Sequence, residues 1–163
     1  MNNGKASTRV ALYAAAVTAF SPMFAAVPAQ ADGGDQGSAV LSQVNVTRAA
    51  NGCGPVTANQ QLTASAARHA NDMLANGAQG HIGSDDSTLV QRVTEAGYTS
   101  YAKLGEIVFS STGSGGTAAA AVLWWMNSPR HRAIITDCEL TDAGFSAVKD
   151  GDKITVAGDF GRK

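Results

Sequence analysis

Residues 144–160, GFSAVKDGDKITVAGDF, decide the fold class. Two short runs with strand-favouring residues, 144–148 and 153–160, flank Asp150-Gly151. Asp-Gly in that position is a strong hairpin signal, because the glycine accepts the positive φ that a tight turn demands. The chain therefore ends in locally paired, antiparallel strands. Upstream of this hairpin the periodicity is helical. Val40, Leu41, Val44 and Val46 begin a helix that stops near Asn51-Gly52. A second helix is expected from Thr57, where Thr57-x-x-Gln60 reads as a capping box, through Leu62, Ala66, Ala70, Met73 and Leu74 to Asn76-Gly77. A loop with Gly80, Gly83, Asp85 and Asp86 leads to a short helix carrying Leu89, Val90 and Val93 up to Gly97. Residues 98–110 read as a strand and 111–116 as a flexible loop of small residues. Thr117 caps an Ala-rich helix running to Trp124, Trp125 and Met126, and Ser128-Pro129 restarts a helix with Ser as N-cap and Pro at its first position. The order α-α-α-β-α-α-β-β is an α+β pattern, with helices packed on a mixed or antiparallel sheet rather than a doubly wound parallel one.

The ends of the chain carry a different signal. Residues 1–31 read as an export signal: Lys5 and Arg9 form a basic start, an apolar run covers 10–20, and Ala29-Gln30-Ala31 is the small-x-small pattern cut after Ala31. The apolar run is shorter than the about 20 residues that span a bilayer, so no integral membrane segment is expected once the signal is removed. The polar, Gly-rich residues 32–38 read as a disordered leader, and 39–163 as one domain with one core. Without Lys5 and Arg9, ten basic side chains face thirteen acidic ones, a net charge near −3. That balance offers no footprint for nucleic acid or an anionic membrane. The two cysteines, Cys53 and Cys138, are an even pair, which in an exported chain favours a disulfide. The alternatives are two buried thiols or a metal-binding pair, and no Cys or His spacing nearby supports either.

Three places carry chemistry: Gly80-His81-Ile82-Gly83, Gly105-Glu106, and Ser128-Pro129-Arg130-His131-Arg132. Glu106 stands in an apolar strand beside Leu104, Ile107, Val108 and Phe109, where a carboxylate must face solvent, pair, or bind something. Two imidazoles and a carboxylate suit a divalent cation such as zinc, with a coordination position left open. Spacing alone does not bring His81, Glu106 and His131 together, since each step is twenty-five residues. His69 reads as a helix-surface histidine and Arg92 as a structural residue reaching a carbonyl or carboxylate. Arg130 and Arg132 flank His131 as solvated or paired cations. Trp124 and Trp125 cannot both face one core. Residues 113–116, Gly-Ser-Gly-Gly, form neither a nucleophile elbow nor a P-loop. The acceptor pattern Asn45-Val46-Thr47 falls inside a helix.

The order of Arg48 to Gly52, His81-Ile82-Gly83, Arg92 to Tyr98, Gly105-Glu106 and Trp125 to Arg132 resembles the CAP superfamily, the cysteine-rich secretory, antigen 5 and pathogenesis-related type. Ala143-Gly144-Phe145 falls where that family places a V-G-x-type strand. The resemblance implies a three-layer α-β-α sandwich whose central cleft carries histidines and glutamates that bind divalent metal in several members. On that basis His81, Glu106 and His131 are the expected metal residues, and Arg92, Trp125, Ser128 and Arg132 the structural or cleft-lining ones. Trp125 matches the family tryptophan, which packs inside. Two departures stand out: Ile107 replaces the asparagine of the usual G-E-N, and no second acidic residue matches the fuller family set. The implied function is a secreted binding or interaction module with a small lipid or protein ligand. A metal-dependent hydrolase of the cell envelope and a purely structural secreted domain are the alternatives.

Overall fold

A computed structural model describes Met1 and residues 35–163. All of the expected export signal except Met1, and residues 32–34 of the expected leader, lie outside the described residues. The elements run α1 (Gly37–Ala50), β1 (Thr57–Ala58), α2 (Gln60–Ala75), α3 (Leu89–Glu95), β2 (Lys103–Thr112), α4 (Ala118–Asn127), α5 (Pro129–Ile135), β3 (Asp142–Asp150) and β4 (Lys153–Arg162). The sheet order is β1-β3-β4-β2. β4 pairs antiparallel with both β3 and β2, and β1 adds a short parallel edge to β3. The fold is α+β, with helices on both faces of a mixed sheet.

Strand alternation divides the core between the two faces. Ile107, Phe109, Phe145, Ala147, Ile154, Val156 and Phe160 pack with Val40 and Val44 of α1, Ala121, Val122 and Trp125 of α4, and Ile135 of α5. On the opposite face Val108 and Ala157 meet Ala66, Ala70 and Met73 of α2. Leu62, Val93 and Tyr98 extend that second layer towards α3. Trp125 is fully buried, and its indole N–H donates to the Val108 carbonyl at 2.8 Å, so it adds apolar area without stranding a donor.

The terminal hairpin forms as the Asp-Gly signal implies: Asp150 pairs with Lys153 and Gly151 takes φ +57°. Elsewhere the boundaries move. The second helix does not start at Thr57. The Thr57 and Asn59 amides are taken by the Thr141 and Ala143 carbonyls, which makes Thr57–Ala58 a strand. Asn59 becomes the cap, its side chain accepting from the Gln61 and Leu62 amides. The strand expected from residue 98, β2, begins at Lys103 instead, because Gly97 (φ +90°) and Ser100 (φ +58°) bend the chain first. It then runs on to Thr112, paired with Lys153, inside the stretch expected to be loop. α1 starts at Gly37, and Asp35 is held on β3 by the Ser146 hydroxyl and the Ala147 amide. Thr117 caps α4 as expected, accepting from the Ala120 amide at 3.1 Å. Pro129 opens α5, but the Ser128 side chain makes no capping bond there.

Cys53 and Cys138 form a disulfide that joins the loop after α1 to the loop before β3. Arg48 fastens the same region. Its buried guanidinium donates to the carbonyls of Gly54, Ile135, Asp137 and Leu140 at 2.8–3.0 Å. Among the described residues, no helix is long and apolar enough to cross a membrane.

Candidate functional site

Glu106 projects from β2 towards the α2 side, directly opposite Asp159 of β4. Both carboxylate oxygens of Glu106 are engaged: Oε2 accepts from Arg92 Nη2 at 2.5 Å, and Oε1 meets His81 Nδ1 at 2.7 Å. The Arg92–Glu106 pair is buried on both sides. Burial opposes the charge of Glu106, but the His81 hydrogen bond and the Arg92 guanidinium outweigh it and hold the carboxyl below the usual range. Glu106 thus resolves its burial by pairing. A carboxylate locked in this way is a poor proton shuttle.

The loop carrying His81 is fixed from inside. Arg92 Nη1 donates to the Ser87 carbonyl at 2.7 Å and Nη2 to the His81 carbonyl at 3.2 Å. His69 is fully buried, not on the helix surface, and its Nε2 donates to the Gly80 carbonyl at 2.8 Å. Its place on the buried stripe was readable from spacing, since Leu62, Ala66, His69 and Met73 follow i, i+4, i+7, i+11. Asp159 carries no local sequence signal, because only the strand register sets it beside Glu106. It is fully buried, and neither oxygen has a hydrogen-bond partner. Burial and the Glu106 charge raise the pKa of its carboxyl well above the usual range, which favours the protonated form.

His81 and His131 line one open cleft of about 330 Å³ between the 80s loop, β2 and the α4–α5 corner. Met73, Val108 and Phe109 form its apolar wall, while Glu106 lies behind His81 rather than in the lining. The His81 side chain is half exposed. Because a carboxylate only accepts, His81 Nδ1 carries the hydrogen, which leaves Nε2 with its lone pair in the neutral ring. The Glu106 bond raises the His81 pKa above the ordinary imidazole value. Burial, and then the nearby His81, lower that of His131. The His131 ring rests on Trp124, with centroids 5.1 Å apart. Arg132 turns away, donating from Nε to the Met126 carbonyl at 2.7 Å, and Ser128 marks the corner between the helices.

Among the described residues, no group of three or more His, Cys, Asp or Glu is placed to hold a metal ion. Glu106 is the partner of His81, not a third free donor. The donor set that could face a cation is His81, with Nδ1 on Glu106, and His131, which lines the same cleft. An imidazole with one nitrogen bound to a carboxylate and the other free is the usual arrangement behind a metal-ligating histidine.

The family model described as "CAP: Cysteine-rich secretory protein family" matches residues 41–160. The chain belongs to the CAP family. Among solved structures, an outer surface protein of Borrelia burgdorferi is similar with a TM-score of 0.68 at 20% identity, over 77% of this chain and 91% of that one. An extracellular protein of Bacillus anthracis str. Ames containing an SCP domain gives 0.65 at 22% identity, over 78% of this chain and 40% of that one. NaASP2, solved with Zn2+, gives 0.53 at 15% identity, over 76% and 77%. No curated protein sequence matches the chain. At these identities the structural likeness establishes the CAP fold and nothing finer.

Proposed function

We propose that this CAP domain is an exported binding module whose cleft takes up a divalent cation, with zinc the first to test, and presents it to a ligand. The observation that carries the reading is the orientation of His81: Glu106 occupies Nδ1, and the free Nε2 belongs to the cleft that His131 also lines. His81 and His131 would hold the cation, with Glu106 and Arg92 fixing the His81 ring. A bound cation would supply an open coordination position for a ligand oxygen or a water. The chain's own contribution is positional: Glu106 fixes the His81 ring, and His131 rests on Trp124 beside the wall of Met73, Val108 and Phe109. The zinc in the NaASP2 structure supports the choice of metal. A hydrolase reading has less support, because the nearby acid Glu106 is tied to Arg92 and Asp159 is sealed in the interior.

Export is supported by the disulfide, by the signal-like residues 1–31, and by the extracellular and outer-surface descriptions of the similar proteins. Terminal sequencing of protein recovered from culture medium should begin at Asp32; an intact Met1 on cell-retained protein would contradict it. Zinc titration of the intact protein beside a His81→Ala/His131→Ala variant tests the cation reading.

A further inference from the structure

Trp124 is the large apolar side chain of this cleft that the core does not use. Its neighbour Trp125 is fully buried, whereas Trp124 keeps 50% of its surface in water. One edge of the Trp124 indole meets Phe109, centroids 5.9 Å apart, and the ring tilts against His131. Phe109 already has Trp125 packed against it in an edge contact, so covering the core does not require a second indole. An indole half in water at the mouth of a cleft forgoes much of the stabilisation that burial would give it, and concave sites with exposed aromatic walls are where ligands bind.

The lining beside Trp124 states what kind of ligand fits. Among the described residues that line the cleft, none is Asp, Glu, Lys or Arg. The polar groups on the rim are the Gln79 amide, the Gly80 backbone, the Ser110 hydroxyl and the two imidazoles. The amide, the backbone and the hydroxyl are neutral donors and acceptors, and the imidazoles donate or accept beside the half-exposed Trp124 indole. A strongly anionic ligand would find no guanidinium or ammonium in this lining. A lipid chain needs an enclosed apolar tunnel, whereas Gln79, Gly80, His81 and Ser110 are all exposed. A sugar ring matches both features, with its C–H face on the indole and its hydroxyls edge-on to the amide, hydroxyl and imidazole groups.

We propose that Trp124 is the stacking surface of a subsite for a neutral sugar ring, so that the ligand of the cleft is a neutral glycan. This rests on the reading of the cleft as a ligand site and specifies it further.

The two indoles give the test an internal reference, because the Trp125 N–H is bonded to Val108 inside the core while Trp124 is exposed. Cellotetraose, maltotetraose and tetra-N-acetylchitotetraose are titrated into the 15N-labelled protein to about 10 mM, a range that detects millimolar binding. At least one should shift the Trp124 indole resonance and leave that of Trp125 in place. Trp124→Ala should weaken that binding about tenfold or more, and Trp124→Tyr should keep it within about threefold, since Tyr retains a stacking face. A dispersed amide spectrum and a cooperative unfolding transition show that the Ala variant is folded. No Trp124 shift with any of the three sugars overturns the proposal. Equal binding to Trp124→Ala also overturns it, as does a shift produced by N-acetylphenylalaninamide alone. Zinc uptake measured on the same samples separates the two readings. Zinc without sugar removes only the glycan subsite, and sugar without zinc removes only the cation.

Discussion

Replacing Glu106 by Gln keeps the shape of the side chain and removes its charge, which isolates what that charge does. Arg92 would be left as a buried cation without its counter-charge, and such losses cost about 3–5 kcal/mol; urea denaturation of Glu106→Gln should show a loss of that size. The His81 pKa, raised by Glu106, should fall back towards the ordinary value of 6.5 when followed by NMR. Because the folded His81 pKa lies above the unfolded one, the pair's contribution is full below the unfolded value and fades as pH rises through the folded one; that part of the pH dependence should vanish in the variant. Asp159 has the opposite sign. Its folded pKa is raised while the unfolded chain ionises near 3.8, so stability falls as pH rises from there towards the folded value. Asp159→Asn, isosteric with the protonated acid, should flatten that slope and be neutral or stabilising at pH 7, where a marked destabilisation would contradict the assignment. At this scale the sequence was partly legible. A glutamate in an apolar strand announces that it must pair, but its partners are fixed by contacts fourteen and twenty-five residues away. Asp159 beside it is a matter of register that no local pattern encodes.

At the scale of elements, α2 lies so close on β3 that only glycine fits at position 144. A Cβ there would run into the backbone of Leu62 and Thr63. Gly144→Ala must therefore push the first turn of α2 off the sheet, with an expected loss of about 3 kcal/mol, measured by thermal and chemical unfolding; a loss below 1 kcal/mol would show the contact to be soft. The same first turn shows where sequence reading falls short. Thr57-x-x-Gln60 has the letters of a capping box, yet tertiary hydrogen bonds to the Thr141 and Ala143 carbonyls claim Thr57–Ala58 for the sheet, and Asn59 caps instead. The stretch 98–102 fails for a related reason: its β-favouring side chains Tyr98 and Tyr101 pack on the core edge while Gly97 and Ser100 turn the backbone. Where the signal is a local steric demand, as at Asp150-Gly151 or Thr117, the element forms where the letters put it.

Across the whole molecule, two fasteners hold the α1–β1 loop to the α5–β3 loop. The disulfide closes a separation of 85 residues, a constraint worth about 2–5 kcal/mol against the unfolded chain. Arg48 binds four carbonyls of the same segments. Reduction alone should lower stability by about that amount and leave a cooperative fold, and reduction combined with Arg48→Ala should depart from additivity by more than about 0.5 kcal/mol. Strict additivity in a two-by-two denaturation cycle would show that the fasteners act independently. This frame supports the cleft, whose cation binding is read by calorimetric titration of zinc into the intact protein at pH 7. Uptake should be saturable and should disappear in a folded His81→Ala/His131→Ala variant. Affinity should weaken on acidification from above pH 6.5, because the raised His81 pKa makes protons compete early. No uptake by the intact protein, or undiminished uptake by the double variant, would contradict cation binding at the cleft.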